Sequence, residues 1–319
     1  MAENDAGSFE KPWKDLPDWF KRDVVGFLDF KSKRNLRSCS KLDQILVDSC
    51  PFFIEKLGFF LSVSRLSIYF STDSRTITKH SYAKNENTPT EVIQDFLRLF
   101  RNSKSIVNEL TVDFSDMEKS KMLIDEIGKI KKENFKIRVK KIIWYSCPNN
   151  LFAVQFVSFL AVGTLKAIRF EYQYGNLEMI RKLMETEQWK TAEEISTSTV
   201  LPKGLDIENF SHVKRLKIKV ENSEWDVQKI QDLIMNFKRQ NHPVGSYFSI
   251  LVYFRPKSAE RAEEEIPKPI IIDEVRILPK SGHYFRMPSE NHFLRVHRLE
   301  NGIEGLVRDN DDYIEYFIL

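Results

Sequence analysis

The sequence predicts a mixed α+β or α/β protein in two parts, a small helical unit over residues 10–51 and a larger strand–helix domain over residues 52–319. Three observations predict this division. The first 50 residues carry only helical periodicity. After Pro51, apolar residues with strand spacing alternate with helical windows. A length of 319 residues also exceeds that of one typical domain.

Three short helices are predicted in the N-terminal unit. Pro17 suits the first turn of the first helix, because the missing N–H would have had no partner there. Ser32 is a candidate cap of the second helix, and Ser40 with Asp43 is a candidate capping box of the third, which Pro51 ends. Such a short unit forms a weak core, so we expect it to pack against another surface.

Two segments of this unit stand in a characteristic order. A Leu-Pro pair opens the first helix, and an Arg-rich segment with a Cys-Ser-Lys end follows about 20 residues later: Trp13-Lys14-Asp15-Leu16-Pro17 and Asn35-Leu36-Arg37-Ser38-Cys39-Ser40-Lys41. The arrangement resembles an F-box. That resemblance implies docking on the Skp-type adaptor of Skp–cullin–F-box ubiquitin ligases. A small helical subdomain that only packs on the rest of the chain is the alternative.

The F-box resemblance also implies which residues bind the adaptor. They are Leu16, Pro17, Val24, Leu28, Leu36, Cys39, Leu42 and Leu46. Leu42 stands where the family usually has Phe or Trp, and Asp43 stands where a basic residue is common. The first departure shrinks the apolar contact and the second weakens or redirects a polar one.

Six segments after Pro51 share apolar residues at positions i, i+3 and i+5. They are Val63/Leu66/Ile68, Val107/Leu110/Val112, Val139/Ile142/Trp144, Leu165/Ile168/Phe170, Val213/Leu216/Ile218 and Ile272/Val275/Ile277. Helical windows lie between them, at 91–101, 117–130 and 227–237. Strand followed by helix, repeated at uneven intervals, predicts an irregular curved solenoid similar to leucine-rich repeats. An ordinary doubly wound α/β domain is the alternative.

Two of these segments resemble a known domain: Val139-Lys140-Lys141-Ile142-Ile143-Trp144 and Val213-Lys214-Arg215-Leu216-Lys217-Ile218. They are similar to parts of the FTH domain (domain of unknown function 38), which follows the F-box in a large nematode family. In that family the C-terminal domain is taken to bind the partner. The resemblance implies a substrate-recognition adaptor that recruits a protein target through residues 52–319.

Composition and sequence pattern bear on the cellular location of the protein and on binding to nucleic acids or membranes. The formal charge of +3 does not by itself indicate nucleic acid or a membrane. Three cysteines without a C-x-x-C pair, and a start that is not a signal peptide, predict an intracellular protein, cytoplasmic or nuclear. The apolar stretch 151–162 is too short to cross a bilayer and predicts a buried helix. Residues 255–269 are predicted to form a solvated loop, and residues 313–319 a final strand.

The sequence carries no motif for catalysis, a cofactor or a metal. A phosphate-binding G-x-G-x-x-G or G-x-x-x-x-G-K and a G-x-S-x-G nucleophile are absent. His292 and His297 are five apart in a strand-like stretch, so they point to opposite faces. Cys147 has no histidine nearby in sequence. We therefore expect a protein that is not an enzyme.

Basic residues stand at outward-facing positions of the central predicted strands. Four of them, Lys141, Arg169, Arg215 and Lys217, would form one positive stripe on the open face of a sheet. The stripe is a candidate surface for an acidic protein partner. Bases would need stacking aromatic rings, which are absent from these positions, so nucleic acid is not favoured. A scaffold or RNA-associated regulator outside a ligase is the alternative function.

The run from residue 129 to residue 141 is the most basic part of the chain. It contains seven Lys and Arg residues and one acidic residue.

Overall fold

A single open sheet of twelve strands forms the centre of the computed structural model. The described residues are 12–71, 77–81, 88–130, 135–146, 150–171, 177–201, 204–205, 207–221, 227–253, 270–272, 274–278, 280–289, 291–299 and 301–309. Nine α-helices lie within them. The predicted loop at 255–269 and the predicted final strand at 313–319 lie outside these residues.

The N-terminal unit contains three helices after a 3-10 turn at Trp13–Asp15. They are α1 (Asp18–Phe27), α2 (Phe30–Arg37) and α3 (Lys41–Ser49). Ser40 is confirmed as the cap of α3, because the Asp43 backbone N–H donates to its hydroxyl at 3.0 Å. The Asp43 carboxylate accepts from the same hydroxyl at 2.7 Å, and not from the Ser40 backbone N–H as in a full capping box. The predicted cap of α2 was wrong. The Asp29 carboxylate caps this helix by accepting from the backbone N–H of Ser32 at 2.7 Å.

The chain then enters the sheet through three antiparallel strands: β1 (Phe53–Leu61), β2 (Leu66–Ser71) and β3 (Ile77–Ser81). Alternating helices and strands follow: α4 (Thr88–Arg98), β4 (Ile106–Asp113), α5 (Met117–Lys129), β5 (Val139–Ser146), α6 (Asn150–Ser158), β6 (Ala167–Phe170), α7 (Leu177–Met184), α8 (Glu187–Lys190), β7 (Glu194–Val200), a 3-10 turn (Ile207–Phe210), β8 (Arg215–Glu221), α9 (Val227–Arg239) and β9 (Tyr247–Tyr253).

Five further strands complete the described chain. A separate hairpin pairs β10 (Ile270–Ile272) with β11 (Val275–Ile277). The antiparallel strands β12 (Gly282–Arg286), β13 (His292–Leu299) and β14 (Gly302–Asp309) then join the main sheet next to β9.

Seven strands form the parallel centre of the sheet, and they follow chain order. The complete order is β12-β13-β14-β9-β8-β7-β6-β5-β4-β1-β2-β3. Each crossover therefore leads to the neighbouring strand. Right-handed crossovers of this kind place all their helices on one face, and the successive helices α4 to α7 do contact one another. Arg215 and Lys217 of β8 are exposed on the other face, which we call the open face of the sheet.

The hydrophobic core lies between the sheet and this helix layer. The Phe59 ring of β1 stacks on the Phe96 ring of α4, with centroids 4.1 Å apart. Further along, the Phe114 ring packs edge-on against Phe156 of α6 at 5.0 Å. All four rings are buried, so the aromatic side chains join several strand–helix units into one core.

The i, i+3, i+5 pattern located four of the parallel strands and misplaced two. The middle residues Leu110, Ile142, Ile168 and Leu216 are buried in β4, β5, β6 and β8. The segment at 63–68 was wrong as a repeat, because β2 is antiparallel and Val63 lies outside it, exposed. The segment at 272–277 was also wrong, because it forms the separate hairpin β10–β11.

The helical windows were predicted correctly in position. Those at 91–101, 117–130 and 227–237 correspond to α4, α5 and α9, and the apolar stretch 151–162 contains α6. The sheet is mixed because hairpins extend both ends of its parallel centre. The similarity to leucine-rich repeats therefore stays a prediction.

Across the described residues, every helix falls short of the length and apolar content needed to span a membrane.

Candidate functional site

Helix α1 exposes three large aromatic side chains. Trp19, Phe20 and Phe27 are 67%, 41% and 91% exposed. The rings of Trp19 and Phe20 pack edge-to-face with their centroids 5.8 Å apart. Since an aromatic ring buries a large apolar area, this helix presents an unusual amount of unprotected apolar surface.

Helix α3 adds two more exposed apolar side chains. Leu42 is 79% exposed and Ile45 is 66% exposed, and their i, i+3 spacing places them on one side of the helix. Helices α1 and α3 contact each other. We call the five side chains Trp19, Phe20, Phe27, Leu42 and Ile45 the apolar face of the helical unit.

The predicted adaptor-binding residues divide into two groups. Leu28, Leu36 and Leu46 pack on a small buried core of Val25, Val47 and Cys50. These three side chains therefore stabilise the fold of the helical unit and leave little apolar surface for a partner.

The other predicted residues are more accessible. Pro17, Cys39 and Leu42 are exposed, while Leu16 and Val24 are half-buried. Trp19, Phe20, Phe27 and Ile45 were not among the predicted binding residues. The available signal was the excess of large apolar residues over what so small a core can bury.

Asp43, which departs from the F-box pattern, has a structural role. Its carboxylate accepts from the indole N–H of Trp13 at 2.8 Å and from the Ser40 hydroxyl at 2.7 Å. These hydrogen bonds, with that from Trp13 the larger cause, lower the pKa of Asp43. The carboxylate thus ties the 3-10 turn to the start of α3.

A charged junction joins the helical unit to the sheet domain. The Arg37 guanidinium donates two hydrogen bonds to Asp48, at 2.8 Å and 3.2 Å. Hydrogen bonding to this carboxylate raises the pKa of Arg37. Arg101, which follows α4, lies 3.8 Å from the same carboxylate. Asp48 therefore connects α2, α3 and the sheet domain.

Backbone contacts reinforce this junction. The Asn102 side-chain amide donates to the Ser49 carbonyl at 2.6 Å. The backbone N–H of Phe52 donates to the Ser105 hydroxyl at 3.0 Å. The orientation of the helical unit relative to β1 and β4 is consequently fixed by several independent contacts.

The open face of the sheet carries the four residues of the predicted positive stripe. Strand register places Lys141, Ala167, Glu194 and Arg215 in one row across β5 to β8. Arg169 and Lys217 belong to the next row, on either side of Ser196.

Three of the four stripe cations pair with carboxylates, and one of these carboxylates, Glu109, also lies 3.9 Å from Lys56. Lys141 pairs with Glu109 at 3.0 Å, and Arg215 pairs with Glu194 at 2.9 Å. Arg169 pairs with Glu171 at 2.5 Å. Sequence reasoning missed these acids because two of them come from neighbouring strands, whose register no single sequence segment reveals. The stripe is therefore weaker in positive charge than predicted.

The residues considered for chemistry do not come together. His292 is the first residue of β13, and His297 lies five residues further along the same strand. Cys147 lies outside the described residues. Among those described, no three His, Cys, Asp or Glu side chains gather as metal ligands would.

One protein family matches the sheet domain. Residues 121–257 match the FTH domain. This segment begins in α5 and ends after β9, so it covers the parallel strands β5 to β9 and the helices between them. The FTH identity predicted from sequence is confirmed for these residues. No curated protein matched the chain.

Proposed function

We propose that this chain is a non-enzymatic substrate adaptor of a Skp–cullin–F-box ubiquitin ligase. The helical unit docks on a Skp-type adaptor, and the FTH-containing sheet domain binds a protein target. FTH domains are commonly associated with F-box proteins, which supports this pairing. The observation that carries the proposal is the apolar face, five large exposed side chains on a unit whose described residues include three fully buried apolar ones.

The energetics favour a protein partner at this face. Burying a large apolar side chain contributes roughly 1.5–3 kcal/mol relative to leaving it exposed. Several such side chains on a small unit therefore provide a favourable term that offsets part of the cost of association. The junction through Asp48 supports the same proposal, because it would hold a bound adaptor in a fixed position relative to the sheet domain.

The first prediction tests the apolar face directly. Replacing Phe27, Leu42 and Ile45 together by Ala should weaken binding to a Skp-type adaptor by at least about tenfold, since about 1.4 kcal/mol corresponds to that factor. Isothermal titration with the full chain measures the change. Because all three side chains are exposed, circular dichroism should show an unchanged fold.

A matched control uses exposed apolar residues elsewhere. Val63, Met117 and Val162 are at least half exposed and lie in the sheet domain, and their replacement by Ala should leave adaptor binding as in the unchanged protein. Equal binding by both triple variants would remove the basis of the proposal.

A further inference from the structure

A group of exposed cations without carboxylate partners in the described part of the chain lies at the amino-terminal edge of the parallel strands, apart from the open-face stripe. In the segment that leads into β5, Lys136, Arg138 and Lys140 are exposed and alternate with the fully buried Ile137 and Val139. The three cations therefore point to the same side, about 6.7 Å apart along the chain.

Two further cations lie beside this segment. The backbone N–H of Lys166 donates to the Lys140 carbonyl at 2.7 Å, so these residues are neighbours across β5 and β6. The Arg138 guanidinium donates to the Ser103 carbonyl at 3.1 Å, next to Lys104. We call Lys104, Lys136, Arg138, Lys140 and Lys166 the basic edge.

Among the described residues, only one cation of this edge pairs with an acidic side chain. Within the described part of the chain, Lys104, Lys136, Arg138 and Lys140 form no ion pair with a carboxylate. Lys166 is paired at 2.7 Å, but its partner Glu193 is shared with Lys214. The contrast with the paired open-face stripe is clear, since unpaired exposed cations keep their full attraction for an anionic partner.

An exposed aromatic ring lies at the same edge. Phe53 opens β1, is 70% exposed and is in register with Ile106, the first residue of β4. The residue after Ile106 is hydrogen-bonded to the Arg138 carbonyl at 2.9 Å. Phe53 and Ile106 each precede a buried residue of their own strand, and Arg138 precedes the buried Val139 that opens β5. The three residues therefore form one row on the side away from the core.

We propose that the basic edge binds an acidic protein segment that carries a large apolar side chain, with Phe53 and Ile106 as the apolar anchor. Interfaces between proteins typically combine an apolar centre with a charged rim. A single ring suits one apolar anchor, whereas single-stranded nucleic acid requires several stacked rings. This proposal rests on the proposed function, because it assumes that the target bound by the sheet domain is a protein.

Polyglutamate with one central leucine is the probe for this surface. Lys136→Gln, Arg138→Gln and Lys140→Gln together should weaken its binding at least about tenfold and reduce the salt dependence of the affinity. The matched control, Lys121→Gln, Lys182→Gln and Arg239→Gln, removes the same charges from α5, α7 and α9. It should bind the peptide like the unchanged protein in fluorescence anisotropy.

Other outcomes overturn the proposal. Equal losses in both triple variants, or in neither, would show that the attraction is general and not due to the edge. Tighter binding of an oligouridylate of the same charge through the same three residues would assign the edge to RNA. Phe53→Ser should abolish the preference for the leucine peptide over plain polyglutamate, and an unchanged preference would remove the apolar anchor.

A Skp-type adaptor is titrated against the same variants. The edge variant should bind it normally, so that loss of peptide binding and loss of adaptor binding remain separate results. A weakened adaptor contact in the edge variant would place the edge in the adaptor interface and contradict its assignment to the target.

Discussion

His242 is a buried histidine at the turn between α9 and β9. Its ring packs against Phe237 with centroids 4.3 Å apart, and its Nε2 atom has no hydrogen-bond partner among the described residues. Burial, and to a smaller extent the charge of Lys214, lower the pKa of His242 below 6.5. The neutral imidazole is therefore the form that the folded protein accommodates.

This burial predicts a pH-dependent stability. Below pH 6.5 the unfolded chain binds a proton at His242 that the folded protein resists, so the free energy of unfolding should fall as the pH decreases toward the lowered pKa. Above the ordinary pKa this contribution should be constant. Urea titrations of the unchanged protein between neutral pH and mildly acidic pH measure the slope.

Replacement of His242 by Phe should remove this part of the pH dependence, because Phe cannot take up a proton. His297→Phe, at a half-buried position of β13, is the control and should keep the slope. If the His242 variant has the same slope as the unchanged protein, the pH dependence belongs to other groups.

At the scale of elements, Asp48 is the carboxylate that links α2 and α3 to the sheet domain, through Arg37 and Arg101. Asp48→Ala removes both hydrogen bonds from Arg37 and the attraction to Arg101. We expect a loss of about 1–2 kcal/mol in the free energy of unfolding, since the pair is only partly exposed to solvent. Asp18→Ala is the control, because the Asp18 side chain is 84% exposed and should change stability little. Equal effects of the two substitutions would show that the junction is not held by Asp48.

The sequence predicted most helices and the central strands because their apolar residues keep a clear period. It missed β7, whose three buried residues are Ile195, Ser196 and Thr197, so that only one of them is apolar. The 48-residue interval between Ile168 and Leu216 is divided by Ile195 into 27 and 21 residues. Part of the uneven spacing between the predicted strands is therefore due to this missed strand.

Strand β1 was missed for another reason. Ile54, Leu57 and Phe59 do keep the i, i+3, i+5 spacing and are buried, but the following hairpin strand β2 shows a similar pattern and was chosen instead. Periodicity does not reveal direction, so it cannot separate a parallel strand from its antiparallel neighbour.

The candidate surfaces were less predictable than the elements. The charge run at 129–141 was visible in the sequence, but its ion pairs depend on strand register. Lys141 faces Glu109 across the sheet and pairs with it, whereas Lys140 faces Lys166 and pairs with no carboxylate among the described residues. Adjacent residues of one segment therefore differ in their surroundings for reasons that only the assembled sheet shows.

For the whole molecule, the two parts differ strongly in core size. The helical unit has Val25, Val47 and Cys50 as its fully buried apolar side chains, whereas one large core runs along the whole sheet domain. Local stability follows buried apolar area, so the helical unit should open without unfolding the sheet. Hydrogen exchange should therefore be faster in α1 and α3 than in β4, β5 and β8.

Adaptor binding should reduce the difference in hydrogen-exchange rate between the helical unit and the sheet domain. A partner that covers the apolar face binds only the folded helical unit, so it stabilises that unit by mass action and slows its exchange. The amides of β4, β5 and β8 should exchange at unchanged rates, because their protection already depends on the larger core. The Phe27, Leu42 and Ile45 triple Ala variant serves as the control and should show no protection at the same adaptor concentration. Protection of the strands without protection of α1 and α3 would mean that the adaptor binds the sheet domain, and would contradict the division of roles proposed for the two parts.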